Sequence, residues 1–230
     1  MLSIITINFN NAEGLKRTLK SIKYLKSHSN LDIELIVIDG NSSDGSKNVI
    51  MENQEIIDRY LIEKDNGIYD AMNKGIKLAN KKWLNFMNSG DTPINYSELH
   101  EVLECDDASV IYGDKTQSGE LIKSGNLDLL FSGVIHACHQ SMFFKRSLAI
   151  KYENYKVYGD YAYVLEHYSA CKIFKYYPVA LSDTEPGGVG QTEKWLKRKE
   201  KILILFRKLG FRGLCNGFLY SISRKIKHDS

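Results

Sequence analysis

The first 90 residues alternate between two patterns of hydrophobic and polar positions. Short apolar runs have the length of strands, and the run at 33–39 is continuous enough to be buried on both faces. Between the runs, apolar residues such as Leu15, Leu19 and Ile22 recur at helical spacing. This alternation predicts β-α-β-α-β-α-β, a doubly wound parallel sheet with a ligand site at its carboxyl edge. The predicted strands are 2–7, 33–39, 60–62 and 83–87; of the intervening helices, the second ends near residue 57 and the third spans 67–78.

The second half has a less regular pattern. A short helix is predicted at 98–104, and a longer one from Gly159 to about Ala170. Residues 185–190 contain three glycines, which predict a loop with a mobile backbone. The predicted strands of this half are 109–114, 121–123, 140–145 and 173–177.

Composition limits the class of protein. A chain of 230 residues with 43% hydrophobic content suits one large domain with an appendage. Met1 leads directly into the first predicted strand, so we expect no signal peptide, and no apolar run approaches the ~18 residues of a membrane span. Four cysteines without a CxxC pair favour a reduced, cytoplasmic protein. They are Cys105, Cys138, Cys171 and Cys215.

Charge divides the chain into two parts. Residues 194–230 hold 11 Lys/Arg and 2 Asp/Glu, a net of +9, which leaves −6 for residues 1–193. We therefore expect a main domain over 1–192, in halves 1–95 and 96–192, and a basic helical tail over 193–230. Interleaved apolar and basic residues in the tail favour an interfacial helix pair on an anionic membrane. The alternative is packing against the domain or in a dimer, which leaves oligomerisation open. The apolar tail positions are Trp195, Leu196, Ile202, Ile204, Leu205, Phe206, Leu209, Phe211, Leu214, Phe218, Leu219, Tyr220 and Ile222.

Two carboxylates follow predicted strands. Asp39 ends the second strand, and Asp91 closes the turn Asn88-Ser89-Gly90-Asp91 after the fourth. A carboxylate in that position can hold a hard divalent cation, which can hold a diphosphate. The alternative is a turn in which Asp91 caps the next segment.

Two phosphate-binding patterns are absent. The chain has neither a GxGxxG turn nor a GxxxxGK[ST] loop, which excludes dinucleotide-type glycine turns and P-loop ATPases. A nucleotidyltransferase would carry a basic, glycine-rich loop after the first strand, and residues 8–11 are not one. Nucleic-acid binding fits poorly with the acidic main domain.

Seven segments in order resemble the inverting family 2 glycosyltransferases of the GT-A fold, over roughly residues 1–200. The nearest likeness is to bacterial transferases of O-antigen, capsule and exopolysaccharide assembly. The resemblance implies a GT-A, Rossmann-like, mostly parallel sheet flanked by helices. The segments are 3–10, 37–45, 63–75, 86–91, 139–144, 159–161 and 187–189.

The resemblance implies a set of residues that bind the nucleotide sugar. Asp39 would bind the uracil or ribose, and Asp65 would help to hold the nucleotide. The remaining members of the set are Thr6, Asn8 and Asn10 in the nucleotide pocket, Asp70, Asn73 and Lys74 beside the sugar diphosphate, and Asn88, Ser89 and Gly90 in the metal motif.

The resemblance also implies the catalytic groups. Asp91 would ligate Mn²⁺ or Mg²⁺, and Asp160 would be the general base for the acceptor hydroxyl. Many relatives carry Asp-x-Asp at the metal motif, whereas this chain has Asn88 and Asp91, so the ion should bind more weakly without substrate. The acceptor and diphosphate loops would include His139, Gln140, Gly187 and Gly188.

Structural alternatives exist for several of these residues. Asp39 can cap the loop that follows it, and Asp160 can be a helix N-cap. Asp70 and Lys74 can form a surface helix pair. His139 can be a buried, hydrogen-bonded histidine.

The expected activity is transfer of a hexosyl group from a nucleotide diphosphate sugar, a UDP-sugar, to a saccharide on undecaprenyl diphosphate. A single displacement would invert the anomeric centre, so an α-linked donor would give a β-glycoside. We expect a cytoplasmic protein peripherally bound to the inner membrane. The alternative is an inactive nucleotide-sugar-binding scaffold, against which the presence of Asp39, Asp91 and Asp160 argues.

Overall fold

The computed structural model describes residues 1–104, 107–170, 172–186 and 194–228. Within these ranges, nine strands form one sheet that runs through the centre of the molecule. The strands are β1 (Leu2–Asn8), β2 (Ile33–Asp39), β3 (Arg59–Ile62), β4 (Trp83–Phe86), β5 (Thr92–Pro93), β6 (Val110–Gln117), β7 (Glu120–Ile122), β8 (Met142–Lys145) and β9 (Phe174–Asp183). Their order is β3-β2-β1-β4-β8-β6-β9-β5, with β7 paired to β6.

The helices pack on both faces of this sheet. They are α1 (Ala12–His28), α2 (Ser46–Glu52), α3 (Ile68–Leu78), α4 (His100–Glu104), α5 (Gly159–Ser169) and α6 (Lys194–His228). Gly210 interrupts α6 with a non-helical backbone (φ 62°, ψ −154°). None of the helices in the described ranges is long and apolar enough to cross a lipid bilayer.

The first half of the sheet is parallel, as the alternation of patterns predicted. β1 pairs with β2 from Leu2 opposite Ile33 to Asn8 opposite Asp39, and β4 and β3 join on either side in the same direction. Parallel strands that start together also end together. The register therefore places Asn8 beside Asp39 at the carboxyl edge.

The helix predicted to reach residue 57 ends earlier than expected. Asn53 closes α2, and its side-chain amide donates to the Val49 carbonyl (2.8 Å). Ile56 and Ile57 are buried, but they lie outside any helix. These residues are apolar because they are buried, and buried apolar residues outside a helix can match the spacing of residues within one.

The second half of the sheet is mixed. β8 is antiparallel to both β4 and β6, whereas β6 and β9 are parallel. β9 extends to Asp183, six residues beyond its predicted end, and pairs antiparallel with β5 through Thr92 opposite Asp183. This pairing brings the segment after β9 beside the turn that precedes β5.

The first part of α6 belongs to the core. Ile204 and Leu205 are almost fully buried and belong to the same apolar cluster as residues of α3, β4 and α5. Gly217, in the second part, lies so close to Leu205 that an added Cβ would come within 2.8 Å of it. The predicted boundary at 192/193 lies outside the described residues and stays a prediction.

Candidate functional site

Asp39 is buried beneath the loops that follow β1 and β2. Its Oδ2 accepts hydrogen bonds from Asn8 Nδ2 and Ser42 Oγ (both 2.7 Å), and its Oδ1 accepts one from the Ser42 N–H (2.8 Å). The side chain is fully buried. Asp39 therefore caps the loop, as the structural alternative supposed, and it joins that loop to the end of β1.

Asn10 ties the two loops together above Asp39. Its N–H donates to Ser42 Oγ (2.9 Å), and its Oδ1 accepts from the Ser43 N–H (2.9 Å). Phe9, between the two asparagines, is 65% exposed at the edge of the site. Sequence reasoning missed Phe9, although an aromatic residue flanked by Asn8 and Asn10 in a strand-end loop was a usable signal.

The turn from Asn88 to Asp91 is closed and held by α1. The Asp91 N–H donates to the Asn88 carbonyl (3.0 Å), and Gly90 adopts φ 105°, which favours glycine. Thr18 of α1 donates to the Asp91 carbonyl (2.7 Å) and accepts from the Gly90 N–H (3.0 Å). Ser89 donates to the Ile7 carbonyl through its Oγ (3.1 Å), so the turn is fixed to the end of β1.

Asp91 itself is 9% exposed. Its Oδ2 accepts from Gln140 Nε2 (2.8 Å), and its Oδ1 accepts from the Glu185 N–H (3.1 Å). Burial raises the pKa of Asp91 to about 6, against the lowering effect of these two hydrogen bonds, and the Glu185 charge raises it further. The structure therefore brings Gln140 to the metal motif.

Three charged residues near Asp91 were not predicted. The Glu185 carboxylate forms an ion pair with Arg17 on α1. Lys115 hydrogen-bonds Thr184 Oγ1 (3.1 Å) and is close enough to Asp91 to lower its pKa. The pairing of β9 with both β5 and β6 brings Glu185 and Lys115 to Asp91, and the sequence contained no signal for it.

The carboxyl edge contains buried polar atoms without a partner. Among the described residues, Thr6 Oγ1, Asn8 Oδ1 and Asn88 Oδ1 are buried and make no hydrogen bond. Such atoms are costly in a folded protein unless a ligand or water satisfies them. Three of the nine such atoms found in the described ranges therefore lie at this edge, where a ligand or water could satisfy them.

The residues around Asp91 offer oxygen donors of the type that a hard cation takes, without a preformed cluster of ligands in the described ranges. No three His, Cys, Asp or Glu side chains converge to hold an ion in the described ranges. The Asp91 carboxylate and the unpaired Asn88 amide oxygen are oxygen donors of the kind that Mg²⁺ and Mn²⁺ prefer. Two protein oxygens leave coordination positions for phosphate oxygens and water.

The predicted residues around α3 divide between surface and interior. Asp65 and Asp70 accept hydrogen bonds from the N–H groups of Gly67 and Asn66, before the helix. Lys74 lies 3.6 Å from Asp70 and 2.8 Å from Glu63, which matches the helix-pair alternative. The remaining member, Asn73, is buried and exchanges two hydrogen bonds with the backbone of Tyr152.

His139 occupies the interior. It is 6% exposed, and its Nε2 hydrogen-bonds the Tyr152 hydroxyl (2.7 Å). Its ring contacts Phe86, Phe144 and Tyr163, and burial lowers its pKa to about 3. Of the two interpretations that the sequence left open, the structure shows the buried, hydrogen-bonded histidine.

Asp160 is the second residue of α5 and is half-buried. Burial raises its pKa to about 6, against the effect of the hydrogen bond that its Oδ1 accepts from the Tyr161 N–H (2.7 Å). The Tyr69 hydroxyl lies 3.5 Å from the same oxygen. Gly159 permits this packing, since an added Cβ would lie 2.6 Å from the Tyr69 ring. Gly187 and Gly188 lie outside the described residues.

The fold is that of the GT-A-like class of glycosyltransferases. Residues 3–118 match the model of Glycosyl transferase family 2, and the chain belongs to that family. The chain is 32% identical over 234 aligned residues to the PGL/p-HBAD biosynthesis glycosyltransferase of Mycobacterium bovis (strain BCG / Pasteur 1173P2), covering 92% of this chain and 87% of the relative. The resemblance to family 2 found in the sequence is confirmed.

Solved structures share the fold. S. aureus TarS 1–349, in complex with UDP-GlcNAc, superposes with a TM-score of 0.71 at 12% identity, covering 90% of this chain and 67% of that one. Glucosyl-3-phosphoglycerate synthase from Mycobacterium tuberculosis, with Mn²⁺, UDP and glucosyl-3-phosphoglycerate, has a TM-score of 0.65 at 14% identity, covering 91% and 80%. The predicted α/β, GT-A fold is confirmed.

Proposed function

We propose that this protein is an inverting, metal-dependent glycosyltransferase of bacterial surface polysaccharide assembly. It moves a hexosyl group from a UDP-sugar to a lipid-linked saccharide. The observation that carries the proposal is the set of unpaired buried acceptors at the carboxyl edge, beside Asp91. A UDP donor is supported by the UDP-GlcNAc and UDP bound in the TarS and glucosyl-3-phosphoglycerate synthase structures.

The nucleotide binds over the loops that follow β1 and β2. The exposed ring of Phe9 gives the base a stacking surface, and base stacking on an aromatic ring contributes ~1–3 kcal/mol. The unpaired Asn8 Oδ1 is an acceptor for a base or ribose donor. Asp39 supports these contacts by fixing Asn8 and the loop from below.

The diphosphate lies at the turn that contains Asp91. Asp91 and the Asn88 oxygen would hold Mn²⁺ or Mg²⁺, which would offset the negative charge that develops on the leaving diphosphate. Arg17 and Lys115 add positive charge near Asp91. The metal in the glucosyl-3-phosphoglycerate synthase structure supports this assignment by analogy of fold.

Asp160 accepts the proton of the acceptor hydroxyl. With a pKa of about 6, the carboxylate is largely ionised near neutral pH yet is more basic than an ordinary aspartate. As the proton leaves, the acceptor oxygen forms a bond to the anomeric carbon, and the bond from that carbon to the diphosphate oxygen breaks. One in-line displacement inverts the anomeric centre and converts an α-linked donor into a β-glycoside.

The tail brings the enzyme to a lipid-linked acceptor at the inner face of the membrane. Both parts of the tail carry exposed apolar side chains, whereas Ile204 and Leu205 of the first part are buried in the core. Exposed apolar side chains interleaved with Lys/Arg favour an anionic interface. The tail stripe consists of Trp195, Ile202, Phe206, Phe211, Phe218 and Leu219, which are 56–76% exposed.

A two-stage assay tests the proposal. UDP- and GDP-sugars are first screened for thermal stabilisation of the full chain, because a ligand of the native state raises its apparent stability. The best donor is then offered with Mn²⁺ and a lipid-linked saccharide, and the anomeric proton of the product is observed by NMR. We expect a β-glycoside and UDP release. An α-product would contradict inversion, and donor binding without any turnover would favour the inactive binding protein.

A further inference from the structure

A buried carboxylate on the first part of α6 contacts the segment that leads into α5. Glu200 is 7% exposed and accepts hydrogen bonds from three consecutive backbone N–H groups, those of Lys156 (2.7 Å), Val157 (2.9 Å) and Tyr158 (3.0 Å). Burying an ionised carboxylate is costly unless hydrogen bonds replace its water, and charge-assisted bonds do so strongly. Glu200 therefore fixes the backbone of this segment.

The fixed segment ends where the candidate base begins. Gly159 starts α5, and Asp160 follows it. The Tyr69 hydroxyl donates to the Val157 carbonyl (2.8 Å) and lies 3.5 Å from Asp160 Oδ1. Val157 is thus held at its N–H by Glu200 and at its carbonyl by Tyr69. The place of Asp160 depends on both contacts.

We propose that Glu200 is a positioning residue for Asp160. The tail helix then helps to assemble the acceptor half of the active site, in addition to any contact with a membrane. The inference rests on the proposed function, because it requires Asp160 to be the general base. Ile204 and Leu205 already attach α6 to the domain by apolar burial, which has no direction. Glu200 adds directed hydrogen bonds at the one segment that ends in Asp160.

A second attachment of α6 supplies a matched control. Lys208 Nζ forms ion pairs with Glu153 (2.6 Å) and with Glu166 of α5 (2.8 Å). Lys208 joins α6 to the same region of the domain as Glu200 does. Its ion pairs involve side chains only, and they leave the backbone N–H groups of residues 156–158 untouched. Lys208→Met keeps the aliphatic stem and removes these ion pairs alone.

The test compares Glu200→Gln with Lys208→Met in the full chain, at a temperature where both variants are folded. Glu200→Gln is nearly isosteric but replaces one accepting oxygen with a donor. We expect it to lower kcat for sugar transfer by ~10–100-fold, since a displacement of about 1 Å at a reacting group costs about that much. The Kd for UDP should stay within twofold of the wild-type value, because the loops after β1 and β2, where we propose that the nucleotide binds, do not include this segment. Lys208→Met should keep kcat within threefold.

Two additional variants separate positioning from stability. Glu200→Asp keeps a carboxylate on a shorter side chain and should recover part of the lost kcat. It also replaces Glu200→Gln in the test if that variant does not fold. In an Asp160→Asn background, Glu200→Gln should lower kcat by less than twofold, because a residue that acts through the base has no effect once the base is gone.

Three results would overturn the role of Glu200. The first is a wild-type kcat in Glu200→Gln, and the second is an equal loss of kcat in Glu200→Gln and Lys208→Met. The third is a loss of kcat in the double variant Glu200→Gln/Asp160→Asn that equals the product of the two single losses. Retained activity in Asp160→Asn would count against the proposed function itself. A full Asp160→Asn effect beside a silent Glu200→Gln would overturn only the role of Glu200.

Discussion

Two regions of this enzyme are held in place in different ways: the carboxyl edge where we propose that the nucleotide binds (the nucleotide edge), and residues 156–160, which end in the proposed base Asp160 (the base segment). At the nucleotide edge, parallel strands in register place Asn8 beside Asp39, and α1 fixes the turn that ends in Asp91. In the base segment, Tyr69 and Glu200 from two separate helices hold the residues before Asp160. Under the proposed function, donor binding therefore depends on the sheet, whereas acceptor activation depends on helices packed at its periphery. Changes in the tail should affect transfer before they affect donor binding.

Removal of the proposed base should give the largest separation between the two regions. Asp160→Asn is nearly isosteric and can still accept the Tyr161 N–H, but it cannot take a proton. We expect kcat to fall by ~10²–10⁴, the usual contribution of a general base, with the Kd for UDP unchanged. Single-turnover kinetics with a radiolabelled donor measure the loss. A collapse of UDP binding with kcat preserved would place Asp160 in the nucleotide site instead.

The converse change is made at the nucleotide edge. Asp91→Asn removes the carboxylate from the proposed metal site, and we expect losses of at least ~10–100-fold in both turnover and Mn²⁺-dependent UDP binding. Calorimetric titration of UDP with and without Mn²⁺ measures the binding part. Asp32→Asn, at the amino end of the sheet, is the control and should bind UDP as the wild type does. Near-normal activity of Asp91→Asn in EDTA would contradict the assignment.

The raised pKa of Asp160 also predicts a dependence of stability on pH. The folded-state pKa of Asp160 is about 6, and its ordinary value is 3.8. The contribution of Asp160 to the free energy of unfolding is therefore fully present below pH 3.8 and is lost as the pH rises through 6, because the charged form is less stable in the folded protein. Asp160→Asn removes that loss. We expect its free energy of unfolding to exceed that of the wild type by about 3 kcal/mol above pH 7 and to match it at low pH. Urea denaturation at a series of pH values is the measurement, and an equal difference at every pH would contradict the pKa shift.

Phe9 tests the nucleotide edge at a single side chain. Phe9→Ala should weaken UDP binding by ~5–10-fold, the lower range of a base–aromatic stacking contribution, and leave kcat at saturating donor unchanged. Tyr24→Ala is a matched control, because Tyr24 is 66% exposed on α1, close to the 65% of Phe9. Equal UDP affinity in the wild type and Phe9→Ala would remove the stacking role.

The tail stripe should give the smallest effect. Replacing Ile202, Phe206, Phe211 and Phe218 with Ser changes only exposed side chains and leaves Glu200 in place. We expect weaker sedimentation with anionic vesicles and a larger loss of activity on a long-chain lipid acceptor than on a short soluble analogue. Salt should release the wild type only in part, since it screens charges but not apolar contacts. Unchanged sedimentation would favour packing or dimerisation of the tail.

The sequence determined the alternation of strands and helices in the first half. Apolar period and length indicate strands and helices directly, and consecutive β-α-β units require parallel strands whose ends meet. The closeness of Asn8 and Asp39, and the turn before Asp91, follow from that local information. The same information could not show that residues 53–57 leave the helix, because burial and helix give similar patterns there.

Only the tertiary structure decided which side chains surround the two carboxylates. Glu185 reaches Asp91 across 94 residues through the β5–β9 pairing, and Glu200 reaches Val157 across 43. The burial of His139 within an aromatic cluster was likewise decided by tertiary packing. These contacts depend on how non-consecutive elements pack, and hydrophobic periodicity specifies which face of an element is buried but not which distant residue covers it.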